Sequence, residues 1–313
     1  MGRTGNQLVD LLITYVDGSD EEWRKNLIQY AKNSPDITMD RATNPRRYRD
    51  LGTFKYIFRG IDKFMPFVDR VTLIVSSESQ VPKWINRENV RVVLHRDFIP
   101  KELLPTFNSC TIESFLWNIP LHPYVLYAND DTFPLKLMDF STFFSMNNGE
   151  WLPNIHFTFY KKFPENNIFR SQCRSGIDLV CECLNRKYPE GKIFKPQHSI
   201  NAWLRDDMIK LGKLSEDKLM EICSPFRQKA NANQYIYSYW HYFNSSYVDS
   251  EYNFRYMTFE DGVSTIINEI INKSHDILCV NDAMHLKGSF YSAKQYIQYA
   301  FRQILGAPCK YER

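Results

Sequence analysis

No stretch of the sequence approaches the ~20 consecutive apolar residues that a membrane-spanning helix needs. A signal segment is also missing from its start. Met1 to Gln7 is polar, and Leu8 to Val16 is interrupted by Asp10 and Thr14, too short and too broken for an apolar signal core. There is little imbalance of charge: 39 basic and 36 acidic residues leave a formal charge of +3, too small to argue for a nucleic-acid partner. Basic residues gather locally instead, between Arg41 and Arg49, which suits a small phosphorylated ligand better than a polymer backbone. Cysteines show no disulfide pattern. Seven is an odd number, their spacing is irregular, and the chain reads as cytoplasmic with free thiols. Cys181-Glu182-Cys183, with Cys173 and His198 nearby, matches no common zinc spacing.

What is present is an ordinary globular composition, 43% hydrophobic and 24% charged, over 313 residues. That length holds one large or two ordinary domains. Aromatic residues make up 15% and concentrate in the second half.

The most informative stretch is Tyr124-Val-Leu-Tyr-Ala-Asn-Asp-Asp131. Its apolar run has the length of a buried strand and stops in an amide and two carboxylates. In open α/β sheets, ligands bind at the carboxyl ends of strands. Adjacent carboxylates repel each other, and oxygen ligands of this kind suit Mg²⁺ or Mn²⁺. An Asx-rich turn explains the same residues without a ligand. Leu8 to Val16 repeats the pattern and ends in Asp17-Gly18-Ser19-Asp20. A capped strand-to-helix turn accounts for Gly18 and Ser19 but leaves Asp17 over.

Phe54, Ile57, Phe58, Ile61, Phe64 and Met65 recur at helical spacing and stop at Pro66. The arginines of Arg46-Arg47-Tyr48-Arg49 therefore fall at or just before a helix N-terminus. Cations there oppose the helix dipole unless an anion offsets them, so a phosphate site and a solvated basic loop both remain open. Val71 to Val75 and Val90 to Leu94 read as strands. Asn108 or Ser109 caps a helix striped by Ile112, Phe115, Leu116 and Ile119, with Glu113 off the stripe. Residues 8–131 thus read as an α/β unit with a largely parallel sheet.

In the second half, Ser175 to Asn185 and Ser199 to Leu211 read as helices, which places His198 at a helix start, as a cap or as a catalyst. The aromatic segment Tyr235 to Phe243 reads as core, with sugar stacking as the other use of such side chains. Asp276 to Asp282 is a further apolar run ending in Asn281-Asp282, with His285 close behind. Ser292 to Leu305 reads as a partly amphipathic, basic helix able to touch a membrane surface. Division near residue 150 is expected, with 1–150 as the α/β nucleotide-sugar and metal-binding portion. Residues 151–313 would be a helical, aromatic-rich portion completing the active and acceptor sites.

Tyr15-Val-Asp-Gly-Ser-Asp20, Arg49-Asp50, Leu104-Pro-Thr-Phe-Asn-Ser109 with Ile112-Glu113, and Tyr127-Ala-Asn-Asp-Asp131 resemble the first two blocks of the Stealth proteins. These are bacterial capsular polysaccharide phosphotransferases, related to the lysosomal-enzyme N-acetylglucosamine-1-phosphotransferase of animals. Pro196-Gln-His198 and Phe226-Arg227 match the third block thinly, and Cys279-Val-Asn-Asp282 with His285 matches the fourth. Cys110 departs from the His of many bacterial members.

The resemblance implies a GT-A-like, Rossmann-like fold with a mostly parallel sheet flanked by helices. It also implies Mg²⁺ or Mn²⁺, and transfer of a sugar-1-phosphate from a UDP-sugar (UDP-GlcNAc or related) to a glycan hydroxyl with release of UMP. The acceptor would be an oligosaccharide or a lipid-linked glycan, and the enzyme would work in the cytoplasm at the inner face of the membrane. On that basis Asp17, Asp130, Asp131 and Asp282 are expected at the metal. His198, Arg227, Asp131 and Glu113 are expected to be catalytic. Asp17, Arg49, Asn108, Ser109, Asn129 and His285 are expected at the substrate. The rivals are a metal-dependent UDP-sugar glycosyltransferase that releases UDP, and a non-catalytic carbohydrate-binding protein.

Overall fold

A computed structural model of the chain describes residues 7–34, 37, 44, 47–160, 167–282 and 290–313. The first half supplies β1 (Val9–Thr14), α1 (Glu21–Lys32), α2 (Phe54–Phe64), β2 (Arg70–Val75), β3 (Val90–Leu94), α3 (Ser109–Ser114) and β4 (Tyr124–Ala128). Its strands are short, apolar and rich in Val, Ile and Leu, as a sheet buried on both faces requires. They pair in parallel in the order β4-β1-β2-β3. All four carboxyl ends therefore lie on one side, where Tyr15, Ser76, His95 and Asn129 emerge.

The second half adds β5 (Thr132–Pro134), α4 (Phe140–Phe143), the hairpin of β6 (Phe144–Asn147) and β7 (Glu150–Pro153), β8 (Phe157–Tyr160), α5 (Ile168–Cys183) and β9 (Ile193–Pro196). It continues with β10 (Asn201–Leu204), α6 (Arg205–Ile222), α7 (Tyr235–Asn244), β11 (Phe254–Thr258), α8 (Val263–Asn272), β12 (Ile277–Asn281) and α9 (Phe290–Ile304). β10 joins the main sheet antiparallel to β4, with Asn201 opposite Tyr127, and β8 pairs antiparallel with β9. A three-stranded sheet, β11-β12-β5, stands beside the main sheet. The fold is α/β, with a mostly parallel mixed sheet flanked by helices. Residues on both sides of position 150 build its sheets.

Two apolar layers sandwich the main sheet. Val9, Leu11 and Ile13 face α2, α8 and α9, while Leu12, Ile74 and Tyr127 face α5, α6 and α7. This alternation follows from the two-residue period of a strand. The aromatic run of α7 is core: Tyr235, Tyr237, Tyr239 and Trp240 are almost wholly buried.

Polar anchors hold the sheet away from the ligand end. Asp10, fully buried at the amino end of β1, accepts two hydrogen bonds from Arg70, at 2.5 and 2.6 Å, and one from the backbone N–H of His122. Behind α2, buried Arg59 makes two 2.7 Å hydrogen bonds to Glu312 and caps the carbonyls of Leu305 and Gly306 at 2.8 Å.

One expected helix is corrected. Residues 199–204 are not helical; Asn201–Leu204 is a strand, and helix α6 begins only at Arg205, with Asp206 and Asp207 in its first turn. Ala202 and Trp203 are buried on opposite faces of a sheet edge, a demand that overrides their helical spacing. The helix at Ser109 is also shorter than its stripe suggests. It gives way after Ser114 to a single tight turn at Leu116–Asn118, just before Pro120. Among the described residues no helix is long and apolar enough to cross a membrane.

Candidate active site

A cleft of ≈ 980 Å³ opens at the carboxyl ends of the parallel strands. Its walls come from both halves of the chain: the β1 and β4 ends, the 47–54 loop, α3, the β9–β10 connector, the loop before α7, and β11 and β12.

The floor is acidic. Asp130 and Asp131 sit where β4 ends, and Asp50 approaches them from the loop before α2. Asp130 is exposed to solvent at the cleft, with the protein's bulk beneath it. Desolvation first, then repulsion from Asp131 and Asp50, pushes its carboxyl up to about 8. A cluster of like charges with this penalty calls for a cation. Asp50 was not among the acids expected there, although Arg49-Asp50 is one of the motif positions quoted above.

Asp131 is held in place by its neighbours. Its Oδ2 accepts from Asn281 Nδ2 at 2.7 Å and its Oδ1 from Thr132 Oγ1 at 3.3 Å. Its backbone carbonyl accepts from Val280 N at 2.9 Å. β12 therefore fixes the acid through both side chain and main chain.

The adjoining wall is basic. His198 lies in the β9–β10 connector, with Nδ1 3.3 Å from the Tyr235 hydroxyl and Nε2 4.0 Å from Asp131 Oδ2. Burial lowers its pKa despite the pull of Asp131, and Lys195 and Arg227 push the same way. The imidazole is therefore neutral at pH 7. Arg227 donates to Ser109 Oγ at the amino end of α3. Lys195, on β9 three residues before His198, has its own pKa lowered by burial. It was missed because a lysine inside an apolar strand reads as an interruption.

Glu113 lies behind this wall, 2% exposed. Its oxygens accept from Tyr127 Oη at 3.3 Å and from the backbone N–H of Gln234 at 3.0 Å, and with the Gln234 amide turned to satisfy both groups its nitrogen donates to them as well, at 2.6 and 2.9 Å. Burial pushes the Glu113 carboxyl up to about 7, although Arg227 draws it down. The Tyr127 hydroxyl also meets Thr14 Oγ1 at 2.9 Å and accepts from Asn129 Nδ2 at 3.3 Å, so it ties β1, α3 and the β4 end together.

Several expected residues are placed otherwise. Asp17 accepts from the backbone N–H and hydroxyl of its neighbour Ser19, at 2.8 and 2.6 Å, and does not line the cleft. Its acid completes a local turn. Asp282 and Arg49 do line the cleft, but they pair with each other through two hydrogen bonds, and the Arg49 guanidinium lies 4.0 Å over the Phe290 ring. Asn108 is fully buried. Its Oδ1 caps Cys110 N, and its Nδ2 donates to Ser224 O and Asn231 Oδ1, so it pins the start of α3 to the 224–231 loop and does not face ligand. His285 lies outside the described residues. Asp130, Asp131, Asn129, Ser109, Glu113, His198 and Arg227 do share the one cleft.

A region described as Stealth protein CR2, conserved region 2, matches residues 47–152 and so covers the Asp50, Glu113 and Asp130-Asp131 positions. The exopolysaccharide phosphotransferase cps2G of Lactiplantibacillus plantarum is 26% identical, over 97% of this chain and 96% of that protein. About a third of the chain thus matches a Stealth region. Similarity to polysaccharide phosphotransferases extends beyond that region. Receptor polysaccharide phosphotransferase WefC of Streptococcus oralis is 24% identical over 95% of this chain and 97% of its own. A capsular polysaccharide phosphotransferase of Actinobacillus suis reaches 37%, but over 44% of this chain and 38% of that protein. Among solved structures, the apo-form glycosyltransferase GlyE of Streptococcus pneumoniae TIGR4 is 10% identical with a TM-score of 0.40. It covers 96% of this chain and 62% of its own, a likeness too slight to speak for fold or function.

Proposed function

We propose that this protein is a Stealth-type phosphotransferase that moves a sugar-1-phosphate from a UDP-sugar, UDP-GlcNAc or a relative, to a hydroxyl of an oligosaccharide or lipid-linked glycan, releasing UMP. The observation that carries this reading is the cleft's split charge. An all-oxygen floor of Asp50, Asp130 and Asp131 adjoins a wall of Lys195, His198 and Arg227 in one cleft. A diphosphate bridged to a divalent cation fits between such surfaces, and the phosphotransferases that resemble the chain along nearly its full length support the choice of reaction.

The acids fit Mg²⁺ or Mn²⁺, which favour hard oxygen donors. Asp130 and Asp131, with Asp50 beside them, would hold the ion, which when bound supplies charge neutralisation at the diphosphate. The chain's own groups do the rest. Arg227 and Lys195 bind and neutralise the phosphate under attack. His198 takes the proton of the attacking hydroxyl. With Nδ1–H donating to the Tyr235 hydroxyl, its Nε2 lone pair is free, and Asp131 stabilises the imidazolium that forms. The acceptor oxygen bonds to the phosphorus that carries the sugar, the bridging P–O bond breaks, and UMP departs with that electron pair. Catalysis of this type rests on positioning and charge rather than on covalent chemistry by the protein.

The product is a phosphodiester in a capsular or cell-surface polysaccharide. Tyr291, Tyr296 and Tyr299, all well exposed on α9, support peripheral contact with a membrane at its cytoplasmic face. Incubating the protein with UDP-sugars, Mg²⁺ and acceptor glycan, then separating nucleotides, tests the reading. UMP together with phosphate retained in the glycan is the expected result. UDP would make the protein a glycosyltransferase, and no nucleotide turnover with any donor would leave a glycan-binding protein.

A further inference from the structure

The three-stranded sheet places a buried thiol directly behind the acidic floor. Cys279 on β12 lies opposite Thr132 of β5 and beside Tyr256 of β11. Thr132 directly follows Asp131, and the Tyr256 ring lies 5.7 Å from the His198 imidazole. The topology thereby gathers a carboxylate, an imidazole and a fully buried thiol whose ligand atoms all fall within 4.8 Å of one another. We infer that Asp131, His198 and Cys279 form a three-ligand site for a thiophilic transition metal, zinc above all.

The donor set decides the metal. Sulfur, nitrogen and oxygen together disfavour Mg²⁺ and follow the order in which zinc and copper bind far more tightly than manganese. Zinc with Zn–S of ~2.3 Å and Zn–N of ~2.0 Å has tetrahedral edges of roughly 3.5 Å, so a closure of about 1 Å completes the site. Three protein ligands leave the fourth position open to the cleft, as in zinc sites that admit water or substrate. The outer contacts are in place as well. Tyr235 orients the imidazole through Nδ1, and Asn281 orients the carboxylate at 2.7 Å. On binding, the Cys279 thiol proton passes to solvent and the thiolate joins the metal.

The all-oxygen cluster and this one share Asp131, so the two metals compete. Zinc would also occupy the lone pair of His198. If the phosphotransfer reading holds, zinc is therefore an inhibitor acting at the catalytic histidine rather than a substitute for Mg²⁺.

Metal binding is tested without nucleotide or acceptor, so its outcome is independent of that reading. The full chain is titrated with Co²⁺ as a spectroscopic stand-in, then with Zn²⁺. One equivalent of Co²⁺ should produce a near-ultraviolet thiolate-to-cobalt charge-transfer band that Zn²⁺ abolishes. Cys279→Ser should lose the band. His198→Gln should keep it while zinc affinity falls tenfold or more. A wild type without the band overturns the site, as does a band of equal strength in Cys279→Ser, which would move the metal to another of the thiols. Thermal melting of the metal-free variants checks folding. If Cys279→Ser does not fold, unchanged zinc affinity in His198→Gln, altered on a different segment, overturns the site by itself.

Discussion

Glu113 holds its proton well above the range of an ordinary carboxyl because burial strips its water, and that makes stability depend on pH. Below pH 4.5, its ordinary value, the group is protonated whether the chain is folded or not and contributes nothing. Between 4.5 and about 7 the unfolded chain loses the proton that the folded one keeps, so stability falls as pH rises; above 7 the penalty is constant. Glu113→Gln removes that dependence. Denaturation midpoints of wild type and variant, compared from pH 4 to 8, should diverge in favour of the variant across this window. Parallel curves would mean that Glu113 is ionised in the fold. His198 and Asp130 separate chemistry from metal. His198→Ala should lower turnover by about 10²–10⁴-fold with donor binding nearly intact, and full activity would remove it from the mechanism. Asp130→Asn should raise the Mg²⁺ concentration needed for half-maximal activity by about tenfold or more, whereas an unchanged metal titration would release Asp130 from the ion.

Elements bring these residues together through contacts that short-range patterns do not encode. The strand ends were legible: β1, β2, β3 and β4 follow from their apolar runs, and Asp130-Asp131 from the abrupt stop of one of them. β10 was not, because Ile200 to Leu204 is too short to show a period and the helix behind it lends it a helical rhythm. With that strand misread, His198 fell at a helix start, when in fact a strand connector carries it to Asp131. Asp17 and Asn108 show the opposite error. Both look like site residues by position, and both spend their polar atoms on a turn and a cap, uses that the capping pattern of each stretch equally allows. Gly18 shows how closely these elements fit. A Cβ there would lie 2.2 Å from the Tyr48 carbonyl oxygen and 2.6 Å from the Tyr48 Cβ. Gly18→Ala should therefore displace the loop that carries Arg49 and Asp50. A loss of activity of about 10²-fold with an unchanged far-ultraviolet circular dichroism spectrum is expected; wild-type activity would show that the loop yields harmlessly.

At the scale of the molecule, the chain returns repeatedly to what it built first. β10 completes the main sheet, β12 fixes Asp131, and Glu312 satisfies Arg59 behind α2. Removing one member of a buried ion pair strands the other, so Glu312→Ala should cost about 3–5 kcal/mol. Chemical denaturation measures this directly, and a loss below about 1 kcal/mol would show that water reaches Arg59. None of these closures was legible, since each joins residues whose separation in sequence exceeds any local pattern.

The seat of β10 beside β4 has a consequence for synthesis. Val125, Leu126, Tyr127 and Ala128 leave the ribosome with no partner on their outer side until Asn201 arrives about 70 residues later, roughly 4–15 s at ~5–20 residues per second. Throughout that interval the nascent chain carries a bare, apolar strand edge, the feature most prone to pair with another copy. The strand that ends in the acidic floor is therefore also a segment of the newborn protein open to mispairing until β10 is made.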